Sequence, residues 1–159
     1  MSRLDSFIRR LTAQRDILNS IVGLVGPLEG PVIEFGLGNG RTYDHLREIF
    51  AGRRIIAFDR EVRSYSASTP PAEDMVTGDI RETGQRFLGV NAALAHADIG
   101  TGHDDIDAVT LTWLPQLMAG VLRSGGIAVS GLPLDRPELD PLPLPDGIKS
   151  GRYFLYRRT

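Results

Sequence analysis

The residues with the clearest chemical use lie in the run Glu34-Phe35-Gly36-Leu37-Gly38-Asn39-Gly40. Three glycines at alternate positions let backbone approach a ligand closely and turn through positive φ. Between a strand and a helix, such a run holds a ligand at the strand's carboxyl end, facing the free N–H groups of the helix start. A dinucleotide would need G-x-G-x-x-G, which brings its pyrophosphate to the helix end. Counted from Gly36, that third glycine would fall at position 41, which is Arg41. The spacing present, with a carboxylate at Glu34, suits a nucleotide-like ligand bearing a cationic amine better than one bearing a pyrophosphate.

Further along, single acids close short apolar runs: Asp59 after Ile55 to Phe58, Asp79 after Met75 to Gly78, and Asp98 after Ala92 to Ala97. Taken singly, each reads equally well as a helix cap or a loop acid. Histidine titrates nearest neutrality, so His96 and His103 are the candidate general bases. His96 lies within an expected strand and reads first as a satisfied core residue. His103, in Gly100-Thr101-Gly102-His103, is the catalytic candidate. His45 reads as a surface residue of a helix. His103, Asp104, Asp105 and Asp107 cluster as hard-cation ligands do, but acids just before a helix are ordinary capping chemistry, and no metal is expected.

These residues need elements to position them. Leu4, Phe7, Ile8, Leu11, Leu18, Ile21 and Val22 recur at helical spacing and predict an amphipathic helix over 3–25, with Arg9, Arg10, Gln14 and Arg15 on its outer side. Gly26-Pro27 ends it. Strands are expected at 31–35, 55–58, 75–77, 92–97 and 127–130, the last after a turn at Gly125-Gly126. Helices are expected after Gly40, over 80–89 and over 106–122, where Pro115 kinks the helix or opens a restarted one. Trp113, Leu114 and Leu117 read as core. Alternating strands and helices imply parallel pairing with right-handed crossovers. The fold class is therefore α/β: a Rossmann-like doubly wound, mostly parallel sheet behind an N-terminal amphipathic helix. Prolines at 133, 137, 141, 143 and 145 block central pairing in the next stretch. With no helix there, the final strand, 152–157, is expected to run antiparallel.

The pattern E-x-G-x-G-x-G resembles the first motif of class I S-adenosylmethionine-dependent methyltransferases. Other signposts of that family follow in order: Asp59, nineteen residues beyond Gly40; Gly78-Asp79-Ile80; Ala97-Asp98-Ile99; and Leu122-Arg123-Ser124-Gly125-Gly126 before the fifth strand. The resemblance implies S-adenosyl-L-methionine as cofactor. It implies that Glu34 binds the methionine amine, directly or through water, and that the backbone of Gly36, Gly38 and Gly40 lines the methionine and ribose. Asp59 would accept from the ribose hydroxyls, a task for a two-oxygen acceptor. Asp79 would accept from the adenine amino group while Ile80 packs on the ring. Asp98 would face the methionine portion or the acceptor, and Thr42 would bond the methionine carboxylate. Phe35, Asn39, Arg41 and Arg60 complete the expected cofactor-binding set.

The remaining features bound the function. The 159 residues fit one domain, and 42% apolar with 24% charged residues is an ordinary globular balance. A formal net charge of −2 provides no broad basic field for nucleic acid or anionic lipid. The P-P-Y-type signature of amino-methylating nucleic-acid enzymes is absent at Ala97-Asp98-Ile99-Gly100. No segment approaches the ~20 apolar residues that span a bilayer, no secretory signal is visible, and there are no cysteines. The expectation is a cytoplasmic methyltransferase that moves a methyl group directly to a small-molecule acceptor, without nucleic acid or membrane as partner. A non-catalytic module binding the same cofactor is the alternative. The apolar strap of Leu132-Pro133-Leu134 and Leu142-Pro143-Leu144 reads as sheet-edge packing, a pocket wall or a homo-oligomer interface. The acceptor and its attacking atom are left open.

Overall fold

The computed structural model describes all 159 residues. Four parallel strands carry the site: β1 (Val32–Phe35), β2 (Ile55–Asp59), β3 (Met75–Thr77) and β4 (Ala92–Ala97). With β5 (Leu122–Ser130), β6 (Leu139–Pro141) and β7 (Phe154–Arg158) they form one sheet in the order β3-β2-β1-β4-β5-β7-β6. β1 pairs in parallel with β2 on one side and β4 on the other, so strand order reverses at β1. β7 runs antiparallel between β5 and β6, as expected for a strand reached without a crossover helix.

Alternation along the strands divides the interior in two. Ile33 and Phe35 of β1 join one core; Val32 joins the other. On Val32's side lie α1 (Arg3–Ser20), α2 (Val22–Val25) and α3 (Arg41–Ile49), contributing Ile17, Leu18, Ile21, Val25 and Leu46. The other face is covered by α4 (Ile80–Thr83) and α6 (Leu114–Val121). α5 (Asp104–Leu111) buries none of its residues. No helix is long and apolar enough to cross a membrane.

Several boundaries differ from expectation. The first helix breaks at Ile21 rather than running to Val25, and Arg53 accounts for the way the second piece ends. Its guanidinium donates at 2.7–3.3 Å to the carbonyls of Val25 and Gly26, which end the helix, and to those of Leu28 and Gly30 beyond it. The helix expected over 80–89 is one α turn followed by a 3₁₀ turn over Gly84–Phe87, in keeping with the weak helix propensity of Thr83 and Gly84. The segment 106–122 is two helices, α5 and α6, with Pro115 in the first turn of the second, where its missing N–H has no cost. The Gly125-Gly126 turn is instead an irregularity inside a longer β5, opposite Ala92 and Leu94.

The proline-rich stretch contains a short strand that its prolines had argued against. β6 lies at the sheet edge, where Pro141 needs no ladder donor. Around it the strap crosses from one core to the other. Leu134 and Leu139 are buried on the α6 side, and Leu142 and Leu144 pack on the α1 side. The Tyr156 hydroxyl accepts from the Leu134 N–H at 2.9 Å and pins the strap to β7. Sheet-edge packing is thus the part it plays within the chain.

Arg53→Gln is expected to lower unfolding stability by about 1–3 kcal/mol through loss of charge-assisted bonds to four carbonyls. Urea midpoints with an unchanged m-value would show it.

Candidate active site

The loop from Gly36 to Gly40 leaves β1 where the strand order reverses, the place where an open α/β sheet provides a crevice. Gly38 has φ of 54°, and a Cβ built there meets nothing within 4 Å, so this stretch of backbone is bare toward solvent. Gly40 is constrained in the opposite way. Its φ is 86°, and a Cβ would lie 2.4 Å from the Ser68 carbonyl oxygen, so only glycine lets α3 begin against segment 64–68. Asp59 ties the end of β2 to the loop: Oδ2 accepts from the Gly38 N–H at 2.8 Å and Oδ1 from the Arg60 N–H at 2.7 Å. Each carboxylate oxygen retains a further lone pair.

Asp79 follows β3 and caps α4, accepting from the Arg81 N–H at 3.0 Å, while Ile80 beside it is buried. Asp98 follows β4. Because β3, β2, β1 and β4 are neighbours, Asp79, Asp59, the glycine loop and Asp98 form a row along one end of the sheet. Asn39, Arg41 and Arg60 are exposed and Thr42 is half-buried. Phe35 is fully buried with its ring 4.9 Å from that of Phe58, so only its backbone reaches this row. His103 is exposed at the start of α5 and its imidazole makes no hydrogen bond; Asp107 accepts from Thr101 and Gly102 instead.

Beneath the row lies a buried polar chain. Glu34 is 1% exposed, and pairing register sets His96 of β4 beside it. Glu34 Oε2 is 2.8 Å from His96 Nδ1, and His96 Nε2 is 2.9 Å from the Tyr153 hydroxyl. Gln14 of α1 donates to that hydroxyl at 2.8 Å and to Asp98 Oδ2 at 3.3 Å. Arg10, one turn earlier, donates to both Asp98 oxygens at 3.2 and 3.3 Å. Glu34 Oε1 is buried without a partner. His96 is the satisfied core histidine its place in a strand implied. Gln14 is a correction: it faces inward and is buried rather than on the outer side of the helix. Its position three residues before Ile17 and four before Leu18, both fully buried, was the available signal.

Residues 1–158 match the family described as S-adenosyl-L-methionine methyltransferase. The chain belongs to that family. A crystal structure of the S-adenosyl-L-methionine methyl transferase from Silicibacter pomeroyi DSS-3 is 42% identical, with a TM-score of 0.91 over 100% of this chain and 99% of that one. More distant structures share the fold. The antibiotic-resistance methyltransferase Kmr is 17% identical with a TM-score of 0.54, covering 86% of this chain and 89% of that one. The TehB-like SAM-dependent methyltransferase from Corynebacterium glutamicum is 13% identical with a TM-score of 0.54, over 89% and 85% of the two chains. No curated protein matches the chain.

The residues present in this methyltransferase fit S-adenosyl-L-methionine. The unpartnered, buried Glu34 oxygen calls for a donor, the bare Gly38 backbone leaves room for close approach, and Asp59 has acceptor capacity to spare. A cleft of about 340 Å³ between α1 and α3 is lined by Gln14, Arg41, Thr42 and His45. A larger one, about 540 Å³, lies between α1 and segment 146–152, and neither is lined by a strand-end acid.

Electrostatics in the buried chain are set by burial and proximity. Burial pushes the Glu34 carboxyl above its usual range, and His96 pulls it back only in part. Burial acts downward on His96, but the adjacent Glu34 outweighs it, so the imidazole holds its proton more tightly than usual. Burial also drives the Tyr153 hydroxyl well above 10.0. The raised His96 value means that the folded state binds this proton more tightly than the unfolded chain. Its stabilising contribution is complete below 6.5, the unfolded value, and is lost as pH rises through the folded one. Urea midpoints of the cofactor-free enzyme are expected to fall over that window, and His96→Gln to flatten the fall.

Proposed function

We propose that this methyltransferase moves the methyl group directly to a small-molecule acceptor at the sheet end near Asp98. The observation that carries the reading is the enclosure of Asp98. Its side chain is 21% exposed beneath α1, held by Arg10 and Gln14, so an acceptor reaching it has to fit under a helix. The formal net charge of −2 is in keeping with an acceptor other than a long polyanion.

The bound cofactor supplies a methyl group on a positively charged sulfur, open to attack by O, N or S. The chain supplies placement. Glu34 opposes the amine, and Thr42 at the start of α3 takes the carboxylate. Asp59 holds the ribose hydroxyls from the end of β2, while its bond to the Gly38 N–H fixes the loop to the same carboxylate. Asp79 and Ile80 bracket the adenine. α1 covers the end of β4, and Arg10 keeps Asp98 oriented until an acceptor competes for it. Alignment of this kind, with no general base, accounts for large rate enhancements.

Asp59→Ala is expected to weaken S-adenosyl-L-methionine binding by about tenfold or more, because two hydrogen bonds to a charged acceptor are lost. Calorimetric titration checks this, and undiminished affinity would remove Asp59 from the ribose. Methyl incorporation into a panel of small O, N and S nucleophiles tests the acceptor class. Failure across that panel together with salt-sensitive binding to RNA would overturn it.

A further inference from the structure

The polar chain under α1 has a charge count that does not close. Around His96, β1 contributes Glu34, the end of β4 contributes Asp98, α1 contributes Gln14 and Arg10, and the residue before β7 contributes Tyr153. Two carboxylates and one guanidinium leave one negative charge uncompensated, in a place where an unbalanced charge is costly. The same place contains the unpartnered Oε1 of Glu34. We propose that a proton held by the Glu34–His96 pair supplies the missing positive charge in the free enzyme, that the cofactor's ammonium supplies it in the complex, and that cofactor binding therefore expels this proton to solvent. The inference rests on the reading of Glu34 as the acid that opposes the amine.

The exchange balances. One N–H bond of the pair breaks, its electrons stay on the pair, and the proton passes to buffer as one ammonium enters. The raised proton affinity of His96 fits the free state, and the proton belongs to the pair rather than to either residue. Tyr153 lets the network survive both states. A doubly protonated imidazole donates from Nε2 to the Tyr153 oxygen 2.9 Å away. A neutral one, with Nδ1–H directed to Glu34, accepts at Nε2 from the Tyr153 O–H. A hydroxyl can reverse in this way, and Gln14 donates to its oxygen throughout. Tyr153 is thus a positioning residue for cofactor binding, acting through His96.

The test is calorimetric titration of the intact enzyme with S-adenosyl-L-homocysteine, which keeps the ammonium but cannot transfer a methyl group. It is run near pH ~6, where an α-amino group of pKa about 8 is charged, in buffers of small and of large ionisation enthalpy. The expected result is an apparent enthalpy that differs between buffers by a release approaching one proton. Kd is expected to fall about tenfold per pH unit until the pair has titrated, then to level. 5′-Methylthioadenosine, which lacks the amine, is expected to show neither effect. Tyr153→Phe takes the acceptor from the protonated ring, while Gln14, 3.3 Å from Nε2, can still donate to the neutral one, so levelling is expected at lower pH. Tight binding with equal enthalpies in both buffers would overturn the exchange and leave the cofactor site standing. Failure of the folded enzyme to bind either nucleoside would overturn the reading of the site itself.

Discussion

A carboxylate at the inner end of β1 constrains much of what surrounds it. Glu34 lies in the sheet where its neighbours Ile33 and Phe35 are fully buried, and it is itself 1% exposed. A charge in that position is tolerated only with hydrogen-bonding partners. The partner beside it on β4 is itself titratable, so it in turn needs a group that can satisfy its far nitrogen. The series closes only at Arg10, on a helix 88 residues away in sequence from Asp98. A local demand for a negative group at the cofactor end of β1 thus spreads over β1, β4, α1 and the approach to β7.

That spread explains why α1 sits as it does. Its last turns are held by apolar contacts through Ile17 and Leu18, but its middle is oriented by Gln14 and Arg10. Its first turns leave Leu4 66% and Ile8 51% exposed, while Arg152 donates to Ser6 Oγ at 3.0 Å. Packing fixes the inner half and polar bonds direct the middle.

Much of this was legible in the residues. Short apolar runs, the glycine loop and the acids closing β2, β3 and β4 are local signals, and the loop's spacing separated this cofactor from a dinucleotide. Parallel order and the antiparallel finish followed from where crossover helices are present or lacking. The polar chain was not legible, because its members come from positions 10, 14, 34, 96, 98 and 153, and their convergence is a property of the packed sheet. Gln14 in particular looks like any outward polar residue until a partner is known to lie beneath it. Arg53 hid in the same way: its four carbonyl partners are backbone groups of another segment. The restart at Pro115 was one of the two outcomes its proline offered, whereas the break at Ile21 and the irregularity within β5 depend on tertiary fit that outweighs local propensity.

The placement of β7 has a consequence for how the molecule is made. Synthesis runs from the amino end, and nascent segments begin to fold as they emerge. A chain translated as far as Ser130 already contains β1 to β5 and all six helices, yet its outer edge at β5 is open, and His96 has no hydroxyl to meet its Nε2. β6 cannot join first, because β7 lies between it and β5. The sheet edge and the polar chain are therefore completed together, when residues 153–158 pair with β5 and bring Tyr153 beside His96 and Gln14. Until then the nascent chain has the glycine loop, but His96 lacks its Tyr153 partner.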